Sequence, residues 1–462
     1  MRDLIVFMIV AISLPKAFRT PFVGLLTFSW LGYMRAQDLC WGFARTLRFS
    51  YLVAFTMILG WVLHESTKRR FALWDIRTKI MAVMMVVTAL GLIGARDQSA
   101  VVINRYIEFV KILVIAIFTA GQVTSRRRLR LLLWTIALSL GFFGFKNGVL
   151  GVLSGGAPIV RGPGGMLLDN NDFALALVMN VPLLWYLGQS EKALWIRRGT
   201  MALVVLTLIT IVLTKSRGAF LAVSSVLFMI WLRSRRKGLG AAIAIVGVIV
   251  FFTIVPSHVI ERLQTIQSYE KDASAMGRIM AWKVAFGMIA DYPLLGVGMR
   301  NFQRHFADYL SFHVSWTPVA HNSYLQIWAE GGTISLVLYV TMLVSSFAVL
   351  GKLRKIGSLA PGAGWVREYA VMLEVSLVGF VVGGMFLNRG HFDLVYHLIA
   401  IVSAFHVVAL RWVRQPAGHR EGDEEDENYR APLEAVPRGS FARAAGPPVF
   451  VSPGDRRPVW RR

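Results

Sequence analysis

Apolar runs on the scale of about 20 residues recur from one end of this chain to the other, and that is the length a helix needs to cross a bilayer. Eleven are clear: Tyr51–Leu63, Ile80–Gly94, Tyr106–Gly121, Leu131–Phe145, Met166–Leu187, Met201–Leu213, Phe220–Leu232, Ala241–Val255, Tyr324–Leu350, Tyr369–Leu387 and Leu394–Val413. The first 34 residues add two shorter runs, Leu4–Leu14 and Phe22–Met34, split by Pro15, Lys16, Arg19 and Pro21. Of the 462 residues 55% are hydrophobic and 16% charged. Soluble chains carry about 25% charged residues, so a water-soluble enzyme is excluded. The expected fold is an all-α polytopic membrane protein with about 12 transmembrane helices, the two short N-terminal runs counting as one broken span.

The formal net charge is +24. No basic stripe with interleaved aromatics accompanies it, so nucleic acid is not an expected partner. The cations instead mark loops. Clusters stand at Lys68/Arg69/Arg70, Arg126/Arg127/Arg128/Arg130, Lys192/Arg197/Arg198, Arg233/Arg235/Arg236/Lys237, Lys352/Arg354/Lys355 and Arg411/Arg414, with two spans between successive clusters. All therefore fall on one side, which the positive-inside rule names the cytoplasm. Cys40 is the single cysteine, which rules out an intrachain disulfide or a cysteine metal cluster. The N-terminus has no A-x-A-like cleavage site and reads as a retained membrane segment.

This topology divides the chain into an N-terminal transmembrane bundle (1–255), a large loop on the outer side (256–320), C-terminal transmembrane helices (321–413) and a disordered cytoplasmic tail (414–462) whose "GDEEDEN" run is a solvated segment. The loop is about 65 residues long, and its "SAMGRIMAWKVAFGMIAD" and "NFQRHFADYL" have helical character. Long loops with structure of their own are usually functional. "GVGMRNF" is a lone G-x-G that follows no predicted strand, so it reads as a turn after the helix ending near Pro293.

The outward polar residues carry the chemistry. Arg217, in the short connection "LTKSRGAF", is either a cation snorkelling to headgroups or a fixed charge for an anionic ligand, and Lys215 beside it adds to the second reading. Arg161 sits on the Gly/Pro-rich "RGPGGMLLDNND", where Gly162, Gly164 and Gly165 allow backbone to approach a ligand or simply serve a turn. Asp169, Asn170, Asn171 and Asp172 then open a span and must face protein, water or substrate. His321 begins "HNSYLQIWAEGG" at an expected helix N-terminus, whose partial positive charge keeps an imidazole neutral, as a general base requires. His305 and His313 read as structural. Glu330 and Glu374 are the charges expected inside spans that otherwise carry almost none.

The run "GRIMAWKVAFGMIADYPLLGVGMRNF", then "HNSYLQIWAEGG", after an upstream "KSRGAF", resembles the O-antigen ligase superfamily of O-antigen ligases, O-antigen polymerases and O-linked protein oligosaccharyltransferases. The likeness is strongest from Lys215 to Gly332, and the layout is most similar to the lipopolysaccharide O-antigen ligase. It implies metal-independent, cofactor-free glycan transfer at the periplasmic face of the bacterial inner membrane. The donor would be a glycan on undecaprenyl pyrophosphate and the acceptor a sugar hydroxyl of lipid A–core. Carried over by motif, the catalytic residues are Arg217, Arg278 and His321. Arg161 and Arg300 match more loosely and join Lys215 and Asn322 as substrate-binding candidates. Arginine forks suit phosphate oxygens and supply charge at a pyrophosphate leaving group. His321 would take the acceptor proton, and attack opposite the pyrophosphate would invert the anomeric centre.

A polymerase or a protein oligosaccharyltransferase would use the same residues with another acceptor. A lipid or glycan transporter is disfavoured, because transporters place ionisable groups at mid-membrane whereas the polar residues here crowd one face.

Overall fold

The computed structural model describes residues 1–65, 75–234, 238, 273–310 and 318–415. The expected span Ala241–Val255, the first part of the large loop, the clusters at Lys68–Arg70 and Arg235–Lys237, His313, and the tail beyond 415 lie outside the described residues.

The described residues are almost entirely helical. In chain order the helices are α1 (Arg2–Arg19), α2 (Pro21–Met34), α3 (Phe49–Gly60), α4 (Ile76–Ile93), α5 (Ala100–Gln122), α6 (Arg126–Leu153), α7 (Asn170–Ser190), α8 (Leu194–Leu213), α9 (Arg217–Arg233), α10 (Ala273–Asp291), α11 (Asn301–Arg304), α12 (Ser323–Leu359), α13 (Gly364–Gly384) and α14 (Asp393–Arg414). Six of them, α4, α6, α7, α8, α12 and α14, are long and apolar enough to cross a membrane, and α2 and α3 are shorter apolar helices. The chain is a polytopic membrane protein. Helix α5 carries Arg105, Glu108 and Lys111, so the expectation of spans nearly free of charge, with Glu330 and Glu374 as exceptions, is corrected there. At the N-terminus Pro15, Lys16 and Arg19 all stay within α1; the break falls at Thr20, and Pro21 opens α2 where its missing N–H costs nothing.

Helices α7 and α14 are the most enclosed of the six, each 78% buried over its apolar window. Around them the helices approach closely where small residues line up. Gly141, Gly144, Gly148 and Gly151 form one stripe of α6, and a Cβ at Gly148 would stand 2.5 Å from the Leu206 carbonyl oxygen of α8. Thr210 Oγ1 donates to the Gly144 carbonyl at 2.8 Å across this contact. Small-residue faces let helix backbones meet in lipid, where no hydrophobic force drives them together.

The two ends of the bundle differ in character. At one end the arginines of the basic clusters meet carboxylates: Arg130 with Glu191, and both Arg233 and Arg354 with Glu374. Glu374 thus serves ion pairing at this end. Arginines in the first turn of α6 oppose the helix dipole. They are held there by other contacts, Arg128 Nη1 donating to the Gln122 carbonyl at 3.1 Å and Arg126 lying 4.8 Å over the Trp365 ring. The opposite end gathers the starts of α5, α7, α9, α12 and α14 together with α10 and α11.

Helix α12 is not one continuous span. Gly332 has φ 70° and ψ −179°, which interrupts the helix after nine residues. A helix break in a membrane protein frees backbone groups that must be satisfied by protein. The segment after α10 does so. Val297 N–H donates to Ala329 at 2.9 Å and Gly298 N–H to Glu330 at 3.0 Å, while Thr333 N–H donates to Pro293 at 2.8 Å. Gly296 and Gly298 both have positive φ, and a Cβ on Gly296 would lie 2.5 Å from the Glu330 carbonyl carbon. The G-x-G is a turn, as its sequence reads, and it is also the splint of a broken helix.

Candidate active site

Three of the helices that open onto the site end, α7, α9 and α12, are capped by a polar side chain, and two of these caps, Asp169 and Asn322, are residues singled out from sequence. The Asp169 carboxylate accepts from Asn171 N–H at 2.8 Å, and Ser216 Oγ from Ala219 N–H at 3.3 Å. Asn322 Oδ1 accepts from Tyr324 and Leu325 N–H at 3.0 and 3.1 Å. Capping satisfies N–H groups that a helix start leaves without partners. It also fixes the residue just outside each cap. Asn322, expected to bind substrate, therefore spends its carboxamide oxygen on the start of α12 and orients His321.

His321 is half-buried with φ 47°. Lys215 (φ 54°) and Arg300 (φ 65°) share this left-handed conformation, and Arg35 (φ 50°) is the fourth such residue among those described. Left-handed backbone is uncommon outside glycine and tends to concentrate at active sites and ligand clamps. Three of the four are residues singled out from sequence.

Burial, and after it the guanidinium of Arg278, push the His321 imidazole below its ordinary value, while Asp169 pulls the other way. The neutral ring expected from the helix N-terminus thus has a different leading cause, desolvation. Arg278 reaches this position because α10 is docked on the approach to α12. Trp282 Nε1 donates to the Ala320 carbonyl at 2.9 Å, and Arg278 lies one turn earlier on the same face. Ala320 N–H in turn donates to Gln326 Oε1 at 3.1 Å.

Arg161 and Asp169 form an antiparallel bridge, and Gly162 N–H donates to Leu168 at 2.8 Å, closing the 161–169 loop on itself. The glycines of this loop make room for protein. A Cβ on Gly165 would stand 2.6 Å from Arg35 Cζ, and Arg35 is paired with Asp38. Asn170 Nδ2 donates to the Thr214 carbonyl at 2.9 Å, which ties the Lys215–Arg217 connection to the same turn. Arg278 and Asp169 are thus each within electrostatic reach of His321, Arg161 is bridged to Asp169, and the Lys215–Arg217 connection is attached through Asn170 and Thr214. Arg300 lies elsewhere, on a neighbouring cavity beside Glu330 and Gln326.

Sequence reasoning did not single out Arg389 or Arg105. Arg389 pairs with the buried Asp172 of α7, and its N–H donates to Ser323 Oγ at 2.9 Å. It occupies a short connection between apolar spans, the same signature that marks Arg217. Arg105 stands in an apolar helix, where an ionisable group is itself a signal. Glu330, at the break of α12, accepts from Gln326 Nε2 at 2.6 Å and faces the backbone N–H groups of Arg300 and Phe302.

Among the described residues no group of three or more His, Cys, Asp and Glu is arranged to hold a metal ion. The arrangement offers a guanidinium beside a half-buried imidazole, with further arginines on the turns attached to it, at one end of a helical bundle. Such a site can bind a phosphate-bearing lipid and accept a proton from a hydroxyl.

Residues 202–340 match a family model described as O-Antigen ligase, and residues 1–192 match one described as a family of unknown function (DUF5935). The first match encloses Lys215, Arg217, Arg278, Arg300, His321 and Asn322. Arg105 and Arg161 fall within the second. No curated protein matches the chain. The O-antigen ligase domain supports the superfamily and indicates glycan transfer of the ligase or polymerase type.

Proposed function

We propose that this protein is an O-antigen ligase. It moves a glycan from undecaprenyl pyrophosphate to a sugar hydroxyl of lipid A–core, without a metal ion, at the periplasmic face of the bacterial inner membrane. The observation that carries this reading is the half-buried His321, held in a left-handed conformation beside Arg278 inside the matched O-antigen ligase domain. The alternation of basic and site ends along the bundle supports a site facing away from the cytoplasm.

In this reading Arg217 and Arg278 meet the pyrophosphate of the donor, and Arg161 and Lys215 add charge at its edge. Each fixed cation at developing negative charge contributes about 3 kcal/mol to lowering the barrier. The acceptor hydroxyl oxygen attacks the anomeric carbon from the face opposite the pyrophosphate. The glycosidic C–O bond breaks with its electron pair passing to the pyrophosphate oxygen, and the hydroxyl proton moves to an imidazole nitrogen of His321. The new linkage has inverted configuration.

The test is genetic. In a strain lacking the gene, restoring the wild-type chain should restore long-chain lipopolysaccharide, whereas His321→Ala and Arg217→Ala should not, although both insert normally. Full ligation by both variants would overturn the site assignment. Single repeats attached to core in the deletion strain would point to a polymerase instead.

A further inference from the structure

A second polar cavity lies beside the His321 site. Arg105, Arg300 and Arg389 line it with Gln326, Asn388 and His391, and Glu330 forms part of its wall. It draws on α5, the turn before α11, the outer piece of α12 and the loop before α14. Three arginines and one carboxylate thus share this lining, and that carboxylate is engaged by Gln326 Nε2 at 2.6 Å and by backbone N–H groups. Arg389 is tied to Asp172 of α7, and Arg105 to the exposed Glu108 at 3.2 Å.

Arginines outnumber carboxylates three to one among the residues that line this cavity. Burial, and after it Arg105, hold Arg389 below the ordinary arginine range while Asp169 and Asp393 pull the other way; burial and Arg105 also push His391 down to about 3. A cluster of partly exposed guanidinium groups at a cavity rim is stabilised by an incoming anion. The cavity volume is about 30 Å³. That is room for about two water-sized atoms, hence for the oxygens of one acid group and not for a sugar ring.

Its position relates it to the reaction. Asp169 acts on both His321 and Arg389, so the two sites flank one turn. Ser323 Oγ donates to Leu387 at 2.7 Å and accepts from Arg389 N–H, which fixes the rim between them. A donor pyrophosphate must lie at the reacting carbon, where Arg217, Arg278, Arg161 and Lys215 gather. The neighbouring cavity suits a single acid group belonging to the other substrate.

We propose that Arg105, Arg300 and Arg389 form a second anion subsite that grips one acidic group, phosphate or carboxylate, on the sugars of the acceptor lipid and so presents its hydroxyl to His321. This rests on the ligase reading above. The subsite makes the enzyme selective for an acidic acceptor.

The experiment uses the purified full chain in detergent with three preparations of core lipid: intact, enzymatically dephosphorylated, and carboxyl-reduced. Wild-type thermal stability should rise with intact lipid and fail to rise with one of the two treated lipids, which identifies the acid group. Arg105→Gln and Arg300→Gln, at the more exposed positions, should abolish that rise. In transfer assays they should raise the acceptor KM about tenfold, the loss of one charge-assisted contact, while the donor KM stays in place. The proposal is overturned if all three lipids stabilise the wild type equally, or if the variants' KM defect falls on the donor. Absence of any transfer by the wild type would defeat the ligase reading, and the stability measurement would still decide the subsite.

Discussion

Gly298 N–H donates to the Glu330 carbonyl at 3.0 Å, and this bond joins the loop after α10 to the break in α12. On one side of the join, α10 carries Arg278. On the other, the first turns of α12 follow directly from His321. The relative position of the imidazole and the guanidinium therefore depends on a backbone seam whose geometry only glycine permits.

Gly332→Ala should be destabilising, because its φ of 70° is strained for any L side chain and its Cβ would overlap the Leu294 carbonyl oxygen. The expected loss is about 1–3 kcal/mol, with a larger fall in activity than in yield. Gly351→Ala, further along the same helix with open space at its Cβ, should instead stabilise by up to about 1 kcal/mol. Thermal unfolding of the two variants in the same detergent checks the contrast.

The pH profile should report His321. Its pKa is lowered, so the neutral base persists below the ordinary 6.5 and is lost only as pH falls through the lower value. The rate kcat/KM should stay level through pH 6.5 and decline further into acid. Arg278→Gln removes the second cause of the lowering, so its acid limb should move to higher pH along with a reduced rate. An acid limb that stays in place in Arg278→Gln would show that the two groups do not interact.

Arg217→Lys should not replace arginine. Lysine keeps the charge but loses the forked donors that match two phosphate oxygens. Transfer should fall about 100-fold or more, the cost of losing one donor at developing charge. Transfer by Arg217→Lys at the wild-type rate would make Arg217 a headgroup contact only.

Asp172 is buried and paired with Arg389. Asp172→Asn leaves a partly buried guanidinium without its counter-charge and should lower the unfolding temperature. The double variant Asp172→Asn/Arg389→Gln should regain part of that loss, since removing both partners costs less than breaking the pair. Additive losses would show that the pair contributes little.

Much of the helical architecture was legible in hydropathy, because a bilayer imposes long apolar runs whatever the sequence detail. The grouping of cations was legible for the same reason: Arg233 and Arg354, 121 positions apart in the chain, share Glu374. The break in α12 was not legible. "WAEGG" runs straight into an apolar stretch, and the groups that satisfy the break come from Pro293–Gly298. "NFQRHFADYL" reads as one helix but splits into α11 and a turn at Ala307–Tyr309. Contacts from outside the segment hold it, Asp97 pairing with Arg304 and Arg96 with Asp308 at 3.1 Å. Arg217 and Arg389 bear the same local signature, a cation in a short connection between spans, and only the three-dimensional structure sets Arg389 beside Arg105 and Arg300.

The central claim, that guanidinium groups around a neutral imidazole transfer a lipid-linked glycan, is tested most directly by reconstitution. Purified protein is given glycan-loaded undecaprenyl pyrophosphate and lipid A–core as sole substrates, in the presence of a metal chelator. The account predicts inverted product from the wild type and a rate lower by a factor of about 100 or more for His321→Ala. Undiminished transfer by His321→Ala, or transfer that stops when the chelator is added, would contradict it.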